Sequence, residues 1–364
     1  MPKKTISLPR IILNPHCHGR DMEQSHKTTI LQVLKEAQAA LISSSIFMPN
    51  TIPAITSIEV LRYYIAIIRH AQKRLNIQQP QYLYFGITDY NLSECEEALK
   101  YPEVIGLKDY PLSANGKTVT TGTAGVFLRE TRLAGLRLVK KYNKVYARHC
   151  DNPEIIARNK NIHVIDAEVA DVEDMISLGF EVPGAKIVIC HVSCRESAEL
   201  ILNAQKKGLV IIIELCPQYL WFDADGTNWN PNLNPLFYKC FNNLRTGDNR
   251  EFLISLLPME NPLIIISSDD ACHTAIEKIE KGLGGIPSSQ EMIPVICTLA
   301  KKHNLSDQKV AELISWNAGK IFGIETPKKF HHYTLEERID DLTCNNGVVI
   351  NPWNGSKLLF PILA

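Results

Sequence analysis

The sequence predicts an α/β protein, a (β/α)8 TIM barrel with a short C-terminal appendage. Three observations predict it. Short apolar runs alternate with amphipathic stretches, eight times over. Most of the runs are continuous rather than alternating, as in parallel strands buried on both faces. The 364 residues exceed a typical small domain and suit one large barrel. A doubly wound open sheet is the alternative topology.

The strands are expected at 11–13, 43–48, 82–87, 104–110, 145–149, 187–192, 210–215 and 263–267. The helices between them follow from periodicity. In "KTTILQVLKEAQAAL", Ile30, Leu34, Ala37 and Leu41 recur at spacings of three and four, giving one apolar face. "RESAELILNAQKKG" ends in basic residues and Gly208, a helix C-terminus. "SSQEMIPVICTLAKKHN" and "SDQKVAELISWNAGKIFG" supply helices after the eighth strand, the second opened by Ser306. The segment 217–249 holds Trp221, Trp229 and several prolines, so an ordered loop over the C-terminal face is expected. A second loop, 113–125, is the other candidate to close over a substrate. The barrel is expected to span 1–326 and the appendage 327–364, where "NNGVVINPWNGSKLLF" offers a short strand pair.

Bulk composition excludes several classes. Lys+Arg and Asp+Glu both total 39, and no basic run stands out, so nucleic acid and anionic membranes are not expected partners. No stretch reaches the roughly 18 apolar residues that span a bilayer. The opening "MPKKTISLPR" lacks the apolar core of a secretory signal. Ten cysteines are scattered singly, which predicts reduced thiols in a cytoplasmic protein.

The chemistry is expected where strands finish. His16 and His18 follow the first strand, and Lys108 lies in the fourth. His149 ends the fifth, His191 lies near the end of the sixth, and Asp269 follows the eighth. Taken singly, a strand-end histidine is more often a hydrogen-bonded structural residue than a ligand. Six such residues converging on one barrel face is a different matter. Side chains alternate along an extended chain, so His16 and His18 share a face while Cys17 points away. Two neutral imidazoles on one face can hold a metal ion. With Asp269, His149 and His191 added, the inventory exceeds one catalytic zinc and suits two metals. Cys17, Cys150, Cys190 and Cys272 each adjoin a histidine. Adjacency on a strand turns them to the other side, so they are expected to be small apolar filler rather than ligands.

The motifs resemble a known family. "HCHGRD" is similar to the H-x-H-x-R-[DE] motif of dihydroorotases, within the amidohydrolase superfamily. "FMPNTIPA", "GLKDYP", "RHCDN", "NNLRTGDNREFL", "SSDDACHT" and "GGIPSSQEMIPVI" resemble further dihydroorotase segments, in order, from residue 14 to about 294. The resemblance implies a barrel of the metal-dependent hydrolase type. It implies reversible cyclisation of N-carbamoyl-L-aspartate to L-dihydroorotate in pyrimidine biosynthesis. It implies two Zn2+ per chain, or Co2+ or Mn2+ in their place. His16, His18 and Asp269 would hold one, His149 and His191 the other, with a carboxylated Lys108 bridging them. A metal-bridging hydroxide would attack, with Asp269 as general base and acid. Arg20, Asn50 and His273 would grip the substrate carboxylate, and Gly285 would touch substrate, though Gly284 and Gly285 equally suit a plain turn. The family habit also implies a homodimer. The nearest alternatives are a dihydropyrimidinase or hydantoinase, or a non-catalytic scaffold. Asn14, Asn242, Asn243, Cys272 and the "SSD" turn depart from the family pattern. The chain also begins close to the first expected strand, so any second domain is expected to be small.

Overall fold

Strand β1 (Thr5–Pro9) stands outside the barrel. The next eight strands are β2 (Leu13–Cys17), β3 (Ser44–Phe47), β4 (Tyr82–Gly86), β5 (Val104–Asp109), β6 (Val145–Arg148), β7 (Lys186–Ile189), β8 (Ile211–Leu215) and β9 (Ile264–Ile266). They pair neighbour to neighbour in chain order, all parallel, in one eight-stranded sheet. The computed structural model describes residues 5–116, 124–160 and 162–363. Residues 117–123 of the candidate loop 113–125 therefore lie outside the described residues.

Hydrogen bonds bring the two ends of the sheet together. The Asp269 amide donates to the His16 carbonyl at 3.0 Å, and the His18 amide donates to the Asp270 carbonyl at 2.9 Å. These bonds run just past β9 and along the end of β2. They explain why the first barrel strand runs to Cys17 rather than stopping at Leu13 as expected. Asn14 and Pro15 break the apolar run, but the pairing across the seam keeps them extended. Two departures from the family pattern meet here. The Asn14 amide donates to Ser268 Oγ at 2.8 Å, and its oxygen accepts from the Ser268 amide at 2.9 Å.

Alternation sorts the side chains into two layers. Leu13, Ile46, Tyr84, Ala147, Val188, Ile212 and Ile265 fill the barrel interior. Phe47, Leu83, Leu107, Tyr146, Ile187, Ile213 and Ile266 face the helices. The helix Ile30–Ala39 opens on Thr29, whose hydroxyl accepts from the Gln32 amide. The helix Arg195–Lys206 follows β7, and Met292–Lys302 and Asp307–Ala311 follow β9, the last capped by Ser306 as expected. Among the described residues no helix is long and apolar enough to cross a membrane.

Strands β10 (Phe330–Ile339) and β11 (Lys357–Leu363) form an antiparallel sheet with β1, in the order β1-β10-β11. The strand pair expected within the tail thus joins 357–363 to 330–339. β1 was not expected, because only Ile6 and Leu8 carry its alternation. The loop after β8 is ordered. It contains the helix Pro217–Trp221, and Trp229 stacks on Tyr238 with centroids 4.4 Å apart.

Gly106 pairs with Val145 across β5 and β6. A Cβ there would lie 2.1 Å from the Val145 carbonyl oxygen. Gly106→Ala is therefore expected to cost roughly 3 kcal/mol or more, since two barrel strands must separate. A denaturant midpoint equal to that of the parent would contradict this.

Candidate metal centre

The seam and the strand ends open onto one small cavity of about 40 Å3. His16, His18, Arg20, Asn50, Lys108, Tyr110, His149, His191, Phe241, Asp269 and Gly285 line it. Nine of the ten residues singled out from the sequence therefore surround one space. The tenth, His273, is buried behind Gly285, with Nδ1 3.2 Å from Lys27 Nζ. A Cβ on Gly285 would lie 2.4 Å from the Ala271 carbonyl oxygen and 3.0 Å from His273 Cδ2, so only glycine fits. A larger cleft of about 650 Å3, near Glu260, Trp316 and Lys320, shares no lining residue with this cavity.

Backbone geometry explains how each side chain enters. Alternation alone turns His149 and Glu214 inward, and Lys108 enters past an irregularity near Gly106 that leaves Ile105 inside and Leu107 facing the helices. His191 and Asp269 arrive differently, with φ of +38° and +47°. Left-handed backbone is costly for residues other than glycine, and it collects at functional sites. At His191 it has a further effect. Val188 faces the interior, so Cys190, two residues on, does too. The turn at His191 then brings the next side chain into the same space. Cys190 is therefore not filler facing the helix layer, as adjacency to a histidine had suggested. Cys17 and Cys150 do pack in that layer.

Asp269 Oδ1 lies 3.2 Å from His16 Nε2 and 3.4 Å from His18 Nε2. His16 Nδ1 lies 2.8 Å from Glu214 Oε1, and His18 Nδ1 lies 2.8 Å from Asn50 Oδ1. Two groups of ligand atoms result, each within 4.8 Å: His16, His18 and Asp269, and His16, Cys190 and Glu214. They share His16. This overturns the expected pair of zinc ions bridged by a carboxylated Lys108. Lys108 is buried, and its Nζ donates to Cys190 Sγ at 2.9 Å, so the bridging position belongs to His16.

The electrostatics suit a cation. Burial lowers the pKa of all four histidines, well below the usual range for His18, His149 and His191. Imidazoles are then neutral and can donate lone pairs. Burial pushes Glu214 up, but His16, His191 and Lys108 together bring it down to about 2. Burial pushes Asp269 well up, helped by Glu214 and opposed by Lys108. His149 Nε2 and His191 Nδ1 have no hydrogen-bond partner among the described residues, and their rings lie 4.6 Å apart. Buried ring nitrogens without partners are what a metal would satisfy, so the donor set fits a divalent ion.

Sequence reasoning missed Glu214, Tyr110 and Gln218, and set Cys190 aside as filler. Glu214 was detectable, as a carboxylate inside the apolar run "VIIIEL". Gln218, whose amide donates to Asp269 Oδ2 at 3.2 Å, left no signal. Another departure is explained here. The Asn242 amide donates to the Cys150 carbonyl at 2.8 Å and to Glu168 Oε2 at 3.1 Å, which proline could not do.

No family model matches the chain. The dihydroorotase of Pyrococcus furiosus is 25% identical over 325 residues, covering 89% of this chain and 68% of its own length. That of Fusobacterium nucleatum is 25% identical over 362 residues, covering 94% and 79%. Among solved structures, dihydroorotase from Saccharomyces cerevisiae in complex with 5-fluoroorotic acid superimposes with a TM-score of 0.81 at 18% identity, covering 99% of this chain and 100% of that one. L-hydantoinase (dihydropyrimidinase) from Arthrobacter aurescens reaches the same TM-score at 20% identity, covering 98% and 82%. The equal scores establish the fold and do not choose between the two enzymes. Barrel, similar sequences and ligand groups together match this chain, at family level, to the amidohydrolase superfamily, with a motif for two metal ions built around His16.

Proposed function

We propose that this chain hydrolyses and closes cyclic amides with the help of bound metal, and that its ring substrate carries a carboxylate. The proposed reaction is the interconversion of N-carbamoyl-L-aspartate and L-dihydroorotate. One observation carries the choice of ring. Arg20 is 2% exposed and lines the cavity, yet among the described residues no carboxylate lies within ion-pair distance of it. Its guanidinium donates to the Asn50 carbonyl at 3.0 Å, and Nε has no partner. A buried cation without an anion is costly. A substrate carboxylate, which a planar guanidinium binds through two oxygens, would relieve that cost.

His16, His18 and Asp269 would hold a divalent ion such as zinc, with His149 and His191 lining the same space. When bound, such an ion supplies an activated water and polarises a carbonyl. Asp269 is placed to accept a proton from water and return it to the ring nitrogen as the amide bond breaks. Gln218 fixes its other oxygen. Arg20 and Asn50 orient the ring, and Gly285 lets the backbone approach it.

The test sets L-dihydroorotate beside dihydrouracil, with metal-loaded and chelator-treated protein. Dihydroorotate turnover that chelation abolishes and a divalent ion restores is the expected result. Turnover of dihydrouracil alone would move the chain to the hydantoinase type. Turnover of neither would favour a non-catalytic scaffold.

A further inference from the structure

Tyr110 follows directly on β5, which carries Lys108, and its side chain is 2% exposed. Its ring lines the cavity, with Lys108 Nζ 5.1 Å from its centroid and the His149 ring 6.4 Å away. The Asn50 main-chain N–H reaches its hydroxyl oxygen, and among the described residues its own O–H finds no acceptor. A buried hydroxyl left that way is destabilising and calls for an explanation. The same Asn50 main chain accepts from the Arg20 guanidinium at 3.0 Å. Burial pushes the phenol well up, with Arg20 working against it, so the group is a neutral O–H donor.

Two buried donors in the cavity wall, both on residues that reach the Asn50 main chain, therefore lack acceptors among the described residues: Arg20 Nε and the Tyr110 hydroxyl. A carboxylate carries two oxygens and accepts at both. A ring lacking it leaves both donors unpaired, and such sites reject the analogue strongly.

We infer that Tyr110 is a specificity-determining residue whose hydroxyl donates a hydrogen bond to the ring carboxylate that Arg20 also binds. This rests on the proposal that the substrate is a carboxylated cyclic amide. No part of it depends on which metal is bound. Tyr110→Phe removes one hydroxyl and keeps the ring against Lys108 and His149.

The experiment titrates the parent protein and Tyr110→Phe with orotate and with uracil by calorimetry, and follows dihydroorotate turnover in both. Hydrogen bonds to a charged acceptor predict a rise of about 10- to 100-fold in the orotate Kd. The uracil Kd should stay the same. For dihydroorotate, KM should rise by a similar factor with kcat little changed. An unchanged thermal melt checks that the variant is folded. If the parent prefers orotate but the variant binds both rings as the parent does, or loses both equally, the Tyr110 assignment is wrong and the carboxylated-ring reading stands. If the parent itself binds orotate no better than uracil, the carboxylated-ring reading fails and Tyr110 falls with it.

Discussion

His16→Gln is expected to lose metal from both ligand groups at once, whereas His18→Gln leaves the second group whole. His16 presents Nε2 toward Asp269 and Nδ1 toward Glu214, and it alone belongs to both groups. Glutamine suits the test because its amide can still donate to Glu214, so the buried carboxylate keeps a partner. It lacks the imidazole lone pair. Partners beyond the direct ligands are already worth about 10- to 100-fold in metal affinity. Losing a direct ligand from each group is expected to exceed that. Elemental analysis of the two dialysed variants reads the outcome. Equal metal retention in both would remove His16 from the shared position.

Asp269→Asn is expected to cut kcat by about 10^3-fold or more, near the upper part of what positioned proton transfer contributes. Asparagine keeps the shape and tolerates left-handed backbone about as well as aspartate, so the φ of +47° need not change. Its amide can still meet His16, His18 and Gln218, but it accepts no proton at neutral pH. The fold should persist, as circular dichroism would show. Steady-state kinetics on L-dihydroorotate decide the matter. A loss smaller than tenfold would mean that another group moves the proton.

The sequence by itself determined the barrel and most of the cavity wall. Continuous apolar runs read correctly as parallel strands because both of their faces are buried, and eight of them left little choice of architecture. Lys108 lies past an irregularity in β5 that parity does not foresee, but strand parity was enough to place His149, since alternation is a local property of an extended chain. It was enough for Glu214 too, whose carboxylate in an apolar run could have been noticed. Local rules stop at residues whose backbone leaves the strand. His191 and Asp269 reach the cavity through left-handed turns, and the same turn makes Cys190 and His191 neighbours in one space. No periodicity predicts that. The bridging role also lay beyond the sequence. Six potential ligands could be named there, but which one two groups share depends on distances across the seam between β2 and the residues after β9. The hydrogen bonds from Asp269 to His16 and from His18 to Asp270 set those distances. Residues some 250 positions apart meet only when the sheet comes round on itself. Tertiary structure therefore decided the ligand groups, because metal chemistry is governed by distances in space, and the sequence records distance only along the chain.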